Sequence, residues 1–213
     1  MKTATELDLE QGSLEWKLAR LGIPTGSEFK NVLAKNKGNT EASTRRNYRA
    51  QLVIERLTGQ EVERYKSKAM EWGNDTEDLA ALTYSLRTGN KVRKCGFFKH
   101  KKIDAGVSPD RIIIDKNGCV EIKCYEIANH IQALRNNAMP KEHYPQVQAE
   151  ILFTDSDFCD FVSYAPELPP NAQIFIQRIE RDDDFINNIL LPELNKFISE
   201  VNEECEFVKN YGS

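Results

Sequence analysis

Apolar residues recur along the chain with two periods, one typical of helices and one of strands. Four segments have apolar positions at helical spacing, which predicts helices over residues 44–58, 74–88, 144–153 and 184–207. In the second segment, leucines stand at positions 79, 82 and 86, and the pattern ends at Gly89. Pro192 predicts a kink in the last helix, because proline lacks the N–H of a continuous helix.

Shorter runs rich in β-branched and aromatic residues predict strands over residues 92–98, 103–107, 111–114, 119–125, 159–164 and 173–179. Asn117-Gly118 lies between the third and fourth runs, and Asn-Gly is a strong signal for a hairpin turn. The predicted fold class is therefore α/β, with a central mixed β-sheet flanked by α-helices.

Charge is distributed unevenly over the 213 residues. The chain has 29 Lys+Arg and 33 Asp+Glu, a net charge of −4, which as a sum argues against a nucleic-acid partner. Residues 1–141 hold 25 basic and 18 acidic side chains, whereas residues 142–213 hold 4 basic and 15 acidic ones. Such asymmetry indicates either a polyanion-binding basic part or solvated helix faces. We expect a single domain over residues 1–213, with a basic part (1–141) and an acidic C-terminal part (142–213).

The cysteines and the apolar runs restrict the class of protein. Five cysteines form no Cys-x-x-Cys pair, which argues against a zinc ribbon or an iron–sulfur cluster. An odd number of cysteines suits a reducing cytoplasm. No run approaches the ~20 apolar residues of a membrane span. We therefore expect an intracellular protein without a membrane partner.

The predicted hairpin contains the most informative polar residues. Val120 and Ile122 should face one side of their strand, and Glu121 and Lys123 the other. Asp110 precedes the partner strand, where the hairpin can bring its carboxylate beside Glu121. Two convergent carboxylates suit a hard divalent cation such as Mg²⁺, and a neighbouring lysine can orient an attacking water. Glu-x-Lys is also common on solvated sheets, so this motif alone leaves an ordinary strand pair open.

Four sequence blocks, in the same order, resemble the phage lambda exonuclease family of alkaline, YqaJ-like exonucleases, within the PD-(D/E)xK nuclease superfamily. The blocks are Glu10-Gln11-Gly12 with Trp16 and Arg20-Leu21-Gly22-Ile23-Pro24-Thr25-Gly26-Ser27-Glu28; Trp72-Gly73 with Glu77; Ser108-Pro109-Asp110 with Glu121-Ile122-Lys123-Cys124; and Tyr144-Pro145-Gln146-Val147-Gln148. Their joint occurrence is far more specific than any single motif. The resemblance implies a restriction-endonuclease-like core and one exonuclease domain, with its catalytic part in residues 1–141.

The resemblance also implies a metal-dependent site. Two Mg²⁺ ions, for which Mn²⁺ can substitute, would be bound by Asp110, Glu121, the carbonyl of Ile122 and Glu77. Lys123 would position the nucleophilic water, and Gln146 would hold the water or the lysine. Without the resemblance, Glu77 and Gln146 would be ordinary helix-surface residues.

Several residues would contact DNA. Arg20, Ser27 and Ser108 match a pocket for the 5′-phosphate of the strand being cut, and a guanidinium can bind a terminal phosphate bidentately. Met70 matches an apolar wedge that opens the duplex, although a core methionine fits equally well. Basic side chains that could bind backbone phosphates are Arg45, Arg49, Lys99, Lys101 and Lys102. The lysines could equally be solvated residues that protect a sheet edge.

The chain departs from the family pattern at three positions. Gly26 replaces a usual alanine, Tyr125 a common proline, and Asn129 an arginine that reaches into the duplex. The departures at Tyr125 and Asn129 leave open how the protein would follow the DNA duplex, whereas the implied metal ligands are unaffected.

The resemblance implies a Mg²⁺-dependent 5′→3′ exonuclease that degrades one strand of linear double-stranded DNA to mononucleotides and leaves a 3′ single-stranded tail for homologous recombination. Implied partners are DNA ends, further copies in a homotrimeric ring and a single-strand annealing protein, in the cytoplasm of a bacterial host of a phage. Two alternatives remain. A restriction-like or junction-resolving endonuclease would have no use for a terminal-phosphate pocket, and the catalytic residue types disfavour a non-catalytic DNA-end-binding module.

Overall fold

The computed structural model describes residues 2–38, 40–62, 68–124 and 127–212, with the backbone alone for residues 68–75. The helices in these ranges are α1 (Leu14–Arg20), α2 (Phe29–Val32), α3 (Ser43–Thr58), α4 (Lys68–Thr88), α5 (Ile127–Asn136), α6 (Tyr144–Thr154), α7 (Asp183–Phe185) and α8 (Leu191–Lys209). The strands are β1 (Ala4–Leu7), β2 (Val92–Arg93), β3 (Phe97–His100), β4 (Gly106–Val107), β5 (Arg111–Ile113), β6 (Gly118–Cys124), β7 (Phe158–Tyr164) and β8 (Ile174–Glu180).

Within the described residues, five strands form a mixed sheet in the order β2-β5-β6-β7-β8. β6 and β7 run parallel, and the other neighbours are antiparallel. β5 and β6 form the predicted hairpin, with Arg111 opposite Val120. The next pair in this register is Asp110 and Glu121. The fold is therefore the predicted α/β class, and the hairpin brings two carboxylates to the same end of the sheet.

Helices cover both faces of this sheet. On one face, Ala80, Ala81 and Tyr84 of α4 pack against β6 and β7. On the other face, α6 buries Val147 and Ile151 against the same strands. Every residue of β7 is buried, as expected for a strand covered on both sides. The sheet is thus a rigid platform for the end of the β5–β6 hairpin.

A smaller antiparallel sheet, β1-β3-β4, packs with α2, α3 and α8 around a second core. Phe29, Phe153 and Phe197 are fully buried in this core. α3 ends at Gly59, whose φ of 68° is the left-handed conformation that glycine adopts without strain. The second core includes Phe29 and Val32 of α2 and thereby fixes this helix next to the smaller sheet.

Several segments differ from their predicted boundaries. The run over residues 92–98 divides into β2 and β3, which belong to different sheets. The chain turns between them at Gly96, where a Cβ atom would lie 1.9 Å from the carbonyl oxygen of Leu7. The leucines of α4 that indicated a helix are exposed, because the helix packs through its smaller alanines instead.

The irregularity predicted at Pro192 lies just before it. A π-helical turn at Ile186–Leu190 separates α7 from α8, and such turns bend helices. Pro192 then stands in the first turn of α8, where a missing N–H breaks no helical hydrogen bond. Among the described helices, none has both the length and the apolar character that spanning a membrane requires.

Candidate active site

The hairpin and α6 bring four of the predicted catalytic residues together. The backbone N–H of Ile122 donates to Asp110 Oδ2 at 2.6 Å, which holds this carboxylate against β6. Glu121 Oε1 lies 2.5 Å from Lys123 Nζ and accepts a hydrogen bond from Gln146 Nε2 at 2.6 Å. Asp110, Glu121, Lys123 and Gln146 therefore share one site, and both strand and helix determine its geometry.

The electrostatics of this site favour a bound cation. Burial, and then the neighbouring charges of Glu121 and Glu77, raise the pKa of Asp110 well above its ordinary value. Burial alone would lower the pKa of Lys123, but the carboxylates of Glu121 and Asp110 raise it above the usual value of lysine. One ammonium group thus faces several carboxylates, and an added positive charge would relieve their mutual repulsion.

The donor set fits a hard divalent cation. Glu121 Oε2 is buried and accepts no hydrogen bond from the described residues. A buried carboxylate oxygen without a donor is costly unless a cation binds it. The groups that converge here are the carboxylate oxygens of Asp110 and Glu121, and Mg²⁺ prefers oxygen ligands of this kind. The predicted ligands Asp110 and Glu121 therefore fit such an ion, and the backbone of Ile122 lies directly beside them.

Two residues position Asp110 through the carbonyl of Pro109. This carbonyl accepts hydrogen bonds from Gln11 Nε2 at 3.1 Å and from Cys95 Sγ at 3.0 Å. Burial raises the pKa of the Cys95 thiol, so the sulfur keeps the proton that it donates. Gln11 belongs to the first sequence block but had no assigned role, and a lone cysteine gives no motif signal. Only the folded chain shows that they support the turn that carries Asp110.

Gln146 connects the carboxylate pair to a buried polar cluster. Its Nε2 also donates to Glu150 Oε1 at 2.8 Å. Burial and the charge of Glu121 raise the pKa of Glu150 well above its ordinary value. A Glu150 carboxylate oxygen and the sulfurs of Cys119 and Cys159 lie within 4.8 Å of one another. The i, i+4 spacing of Gln146 and Glu150 on α6 is the sequence signal for this contact.

Glu77 of α4 reaches the same region but is paired with an arginine. Arg111 Nη1 donates to Glu77 Oε1 at 2.6 Å, and Arg111 Nη2 donates to Asp78 Oδ1 at 2.5 Å. Arg111 Nη1 also donates to the carbonyl of Asp110 at 2.6 Å. The sequence prediction assigned no role to Arg111, although its position directly after Asp110 places it at the site.

The predicted phosphate pocket is built around Trp16. The indole Nε1 donates to Ser108 Oγ at 3.0 Å, and Arg20 Nη1 lies 3.4 Å from the same oxygen. The Arg20 guanidinium lies 3.9 Å from the centroid of the Trp16 ring, a cation–π contact. Ser27 stands on a short 3₁₀ turn at Gly26–Glu28. A Cβ atom at Gly26 would lie 3.2 Å from Val107, so glycine in place of alanine leaves this turn uncrowded.

One cleft of about 680 Å³ is lined by residues of the phosphate pocket and, from the carboxylate site, by Asp110. Its lining includes Trp16, Arg20 and Ser27 from the pocket, and Glu77 and Asp110 from the carboxylate site. A phosphate bound at Arg20 and a cation bound at Asp110 would therefore share one solvent-filled space. The first and third sequence blocks are separated by about eighty residues, and folding brings residues of both to this cleft.

The predicted phosphate-binding residues Arg45 and Arg49 are paired with acidic side chains of the chain itself, and their assignment stays a prediction. Both guanidiniums form ion pairs with Glu41 and Glu200, and Arg49 also pairs with Glu204. Their charges are thus neutralised by Glu41 together with acids of α8, so part of the acidic C-terminal charge is paired within the chain.

The remaining predicted DNA contacts lie outside the cleft lining or outside the described residues. Lys99 pairs with Asp104 at 3.3 Å, and Lys101 and Lys102 are exposed in the bend after β3. The side chain of Met70 lies outside the described residues. These four assignments stay predictions.

Comparisons with known proteins agree with this geometry. The model of the YqaJ-like viral recombinase domain matches residues 15–157. An alkaline exonuclease, LHK-Exo from Laribacter hongkongensis, is 36% identical with a TM-score of 0.85, covering 92% of this chain and 96% of that chain. A structure of LHK-Exo in complex with dAMP gives the same values.

More distant similarities extend the comparison. A phage related exonuclease from Haemophilus somnus 129PT has a TM-score of 0.66 at 15% identity, covering 85% of this chain and 96% of that chain, which shows a shared fold. The uncharacterized protein YqaJ of Bacillus subtilis (strain 168) is 24% identical over 182 residues, or 84% of this chain. The chain spans 54% of the length of that curated relative.

Proposed function

Since the chain belongs to the family of YqaJ-like viral recombinase domains, we propose that it is a DNA exonuclease. Specifically, it would degrade one strand of linear double-stranded DNA from 5′ to 3′ with Mg²⁺, release mononucleotides and leave a 3′ single-stranded tail for homologous recombination. The observation that supports this most strongly is the single cleft lined by both Arg20 and Asp110. The existence of a LHK-Exo complex with dAMP supports a deoxynucleoside monophosphate as the product.

The phosphate pocket would bind the 5′ end of the strand being cut. Ser108 Oγ already accepts a hydrogen bond from Trp16, so its own hydroxyl proton can be donated to a phosphate oxygen. Arg20 can add its planar guanidinium, which the Trp16 ring holds from one side. The pocket is thus arranged for a terminal phosphate.

Hydrolysis would take place at the first phosphodiester bond beyond this pocket. Mg²⁺ bound at Asp110 and Glu121 would lower the pKa of water and stabilise negative charge that develops on the phosphate oxygens. Lys123 would hold the attacking water, while Gln146 keeps Glu121 in a fixed orientation. The water oxygen would bond to phosphorus and release a proton, while the bond from phosphorus to the 3′ oxygen of the terminal nucleotide breaks and that oxygen takes up a proton from solvent to leave as a hydroxyl. The shortened strand again ends in a 5′-phosphate, which the Arg20 pocket can bind.

We propose further that the protein acts on DNA ends in the bacterial cytoplasm, as a homotrimeric ring and together with a single-strand annealing protein. The family resemblance supports these partners. A ring would explain how successive nucleotides are removed without release of the DNA.

The test compares three DNA substrates with Mg²⁺ present: a linear duplex with 5′-phosphates, the same duplex with 5′-hydroxyls, and a covalently closed circle. We expect the phosphorylated duplex to be degraded fastest and the circle to resist. Arg20→Gln should remove the preference for the 5′-phosphate, and Arg181→Gln, whose side chain pairs with Asp183, should retain it. Degradation of the circle at a comparable rate would show an endonuclease instead.

A further inference from the structure

Arg111 follows the metal-binding residue Asp110 directly and has no part in the chemistry described above. Its side chain is only 5% exposed. The guanidinium donates to Glu77 Oε1, to Asp78 Oδ1 and to the carbonyl of Asp110, at 2.5–2.6 Å. It therefore lies between the strand that provides Asp110 and the helix that provides Glu77.

This position conflicts with a second divalent ion at Glu77. Both the guanidinium and the ion would bind the same carboxylate, so two cations would repel each other at short range. An arginine side chain stays protonated in proteins and cannot relieve this repulsion by losing a proton. Three acceptors on two different elements also fix the guanidinium, which leaves it little freedom to move aside.

The guanidinium is suited to the role that a second ion would have. Arg111 lines the same cleft as Arg20 and Asp110, so its fixed charge lies at the edge of the space in which a phosphodiester would bind, with only 5% of the side chain exposed. A fixed cation at this place can stabilise negative charge that develops on a phosphate oxygen. It requires no binding step, because the chain itself supplies the charge.

We propose that Arg111 takes the place of a second metal ion at Glu77, so that each chain binds one divalent ion tightly. The proposal rests on the proposed function for the identity of the ion at Asp110 and Glu121. Because Arg111 pairs with Glu77, the second of the two expected metal sites is unavailable, and Arg111 becomes a positioning residue whose charge takes the place of that ion.

The number of bound ions tests this directly. Mn²⁺ is titrated into the full chain without DNA, and bound ions are counted by isothermal titration calorimetry and by the electron paramagnetic resonance signal of free Mn²⁺. We expect one tight ion per chain for the wild type. Arg111→Met should bind a second Mn²⁺ ion with an affinity at least roughly tenfold higher than that of any second ion bound by the wild type. Arg93→Met, which removes an exposed arginine paired with Glu6, should bind one ion.

A second variant tests the proposal even where Arg111→Met does not fold. Glu77→Gln keeps an acceptor for Arg111 but removes the carboxylate charge, so the wild-type count of one ion should persist. Two tight ions in the wild type, with a decrease to one in Glu77→Gln, would overturn the proposal and leave the nuclease function standing. Unchanged binding in a folded Arg111→Met would also overturn it. Binding of no Mn²⁺ by the wild type would contradict both the proposal and the metal-dependent function.

Discussion

Replacement of Lys123 by methionine isolates the contribution of its ammonium group to hydrolysis. Methionine keeps an unbranched side chain of similar length but removes the charge and the donors. In the structure the ammonium group lies 2.5 Å from Glu121 Oε1 in a site with Asp110, where it can hold the attacking water. A positioned proton-transfer or water-orienting group contributes about 10²–10⁴-fold to a rate. At 1.36 kcal/mol per factor of ten, this corresponds to roughly 3–5 kcal/mol of barrier.

The same replacement should also destabilise the metal-free protein. Removal of one partner from a buried ion pair costs about 3–5 kcal/mol, and the low end applies because Lys123 is 26% exposed. A loss of about 3 kcal/mol corresponds to a decrease in Tm of roughly 6–12 °C for a chain of this size. Added Mg²⁺ should reduce this difference, because a bound cation replaces part of the lost positive charge and stabilises the folded state.

The assay is single-turnover hydrolysis of a 5′-phosphorylated duplex at saturating enzyme, with DNA binding measured separately by fluorescence anisotropy in Ca²⁺. We expect hydrolysis to decrease by about 10²–10⁴-fold while the affinity for DNA changes little. Lys209→Met is the matched control, because Lys209 is exposed and pairs with Glu206 in α8. A folded Lys123→Met variant with hydrolysis close to that of the wild type would refute the assigned role.

Three further predictions concern the phosphate pocket, the surface and the core. Trp16→Phe keeps an aromatic ring but removes the N–H that donates to Ser108. Because a hydrogen bond contributes ~1 kcal/mol net, the preference for a 5′-phosphate should decrease by about fivefold to tenfold. An unchanged ratio of hydrolysis rates on the phosphorylated and unphosphorylated linear duplexes would contradict this. Tyr84→Phe removes the donor to the buried carboxylate of Asp160, so the free energy of unfolding should decrease by about 2 kcal/mol in urea denaturation while the hydrolysis rate of the folded protein is kept. Charge reversal at Lys99, Lys101 and Lys102 should reduce the slope of log DNA affinity against log salt concentration, because these lysines would no longer neutralise phosphates. An unchanged slope would exclude them from the DNA interface.

The hairpin illustrates what the sequence alone predicts well. The alternation around Glu121 is a local signal that agrees with the observed register. Asn117-Gly118 indicates the hairpin but not its turn, because Gly118 is the first residue of β6 and pairs with Ile113, and residues 114–117 form the turn. The pairing of Asp110 with Glu121 is therefore predictable from residues close to each other in the chain. The predicted boundaries of β7 and α6 differ from the observed ones by one residue each, because apolar residues recur at strand spacing in β7 and at helical spacing in α6.

Other features depend on contacts between distant parts of the chain. The exposed leucines of α4 have the spacing of a buried face, but the sheet accepts the smaller Ala80 and Ala81 instead. Arg45 and Arg49 look like phosphate ligands until α8 places Glu200 and Glu204 beside them. A sum of charges over a segment says nothing of such pairings.

The sequence indicates the motif residues of the site more clearly than the residues that support them. Gln11, Cys95 and Arg111 act through carbonyls or carboxylates on other elements, and no periodicity or spacing indicates such contacts. The net charge of −4 was misleading for a related reason. Arg20 and Arg111 line the cleft, and the acids of α8 are partly neutralised within the chain.

The most direct test of the central claim is the polarity of digestion. A linear duplex with 5′-phosphates is labelled with different dyes near the 5′ and 3′ ends of one strand, and products are followed over time with Mg²⁺ and with a chelator. We expect mononucleotides from the 5′ end first, an intact 3′ label on a shortening strand, and no hydrolysis with the chelator. Early release of the 3′ label, or equal hydrolysis with the chelator, would contradict a metal-dependent 5′→3′ exonuclease at Asp110 and Glu121.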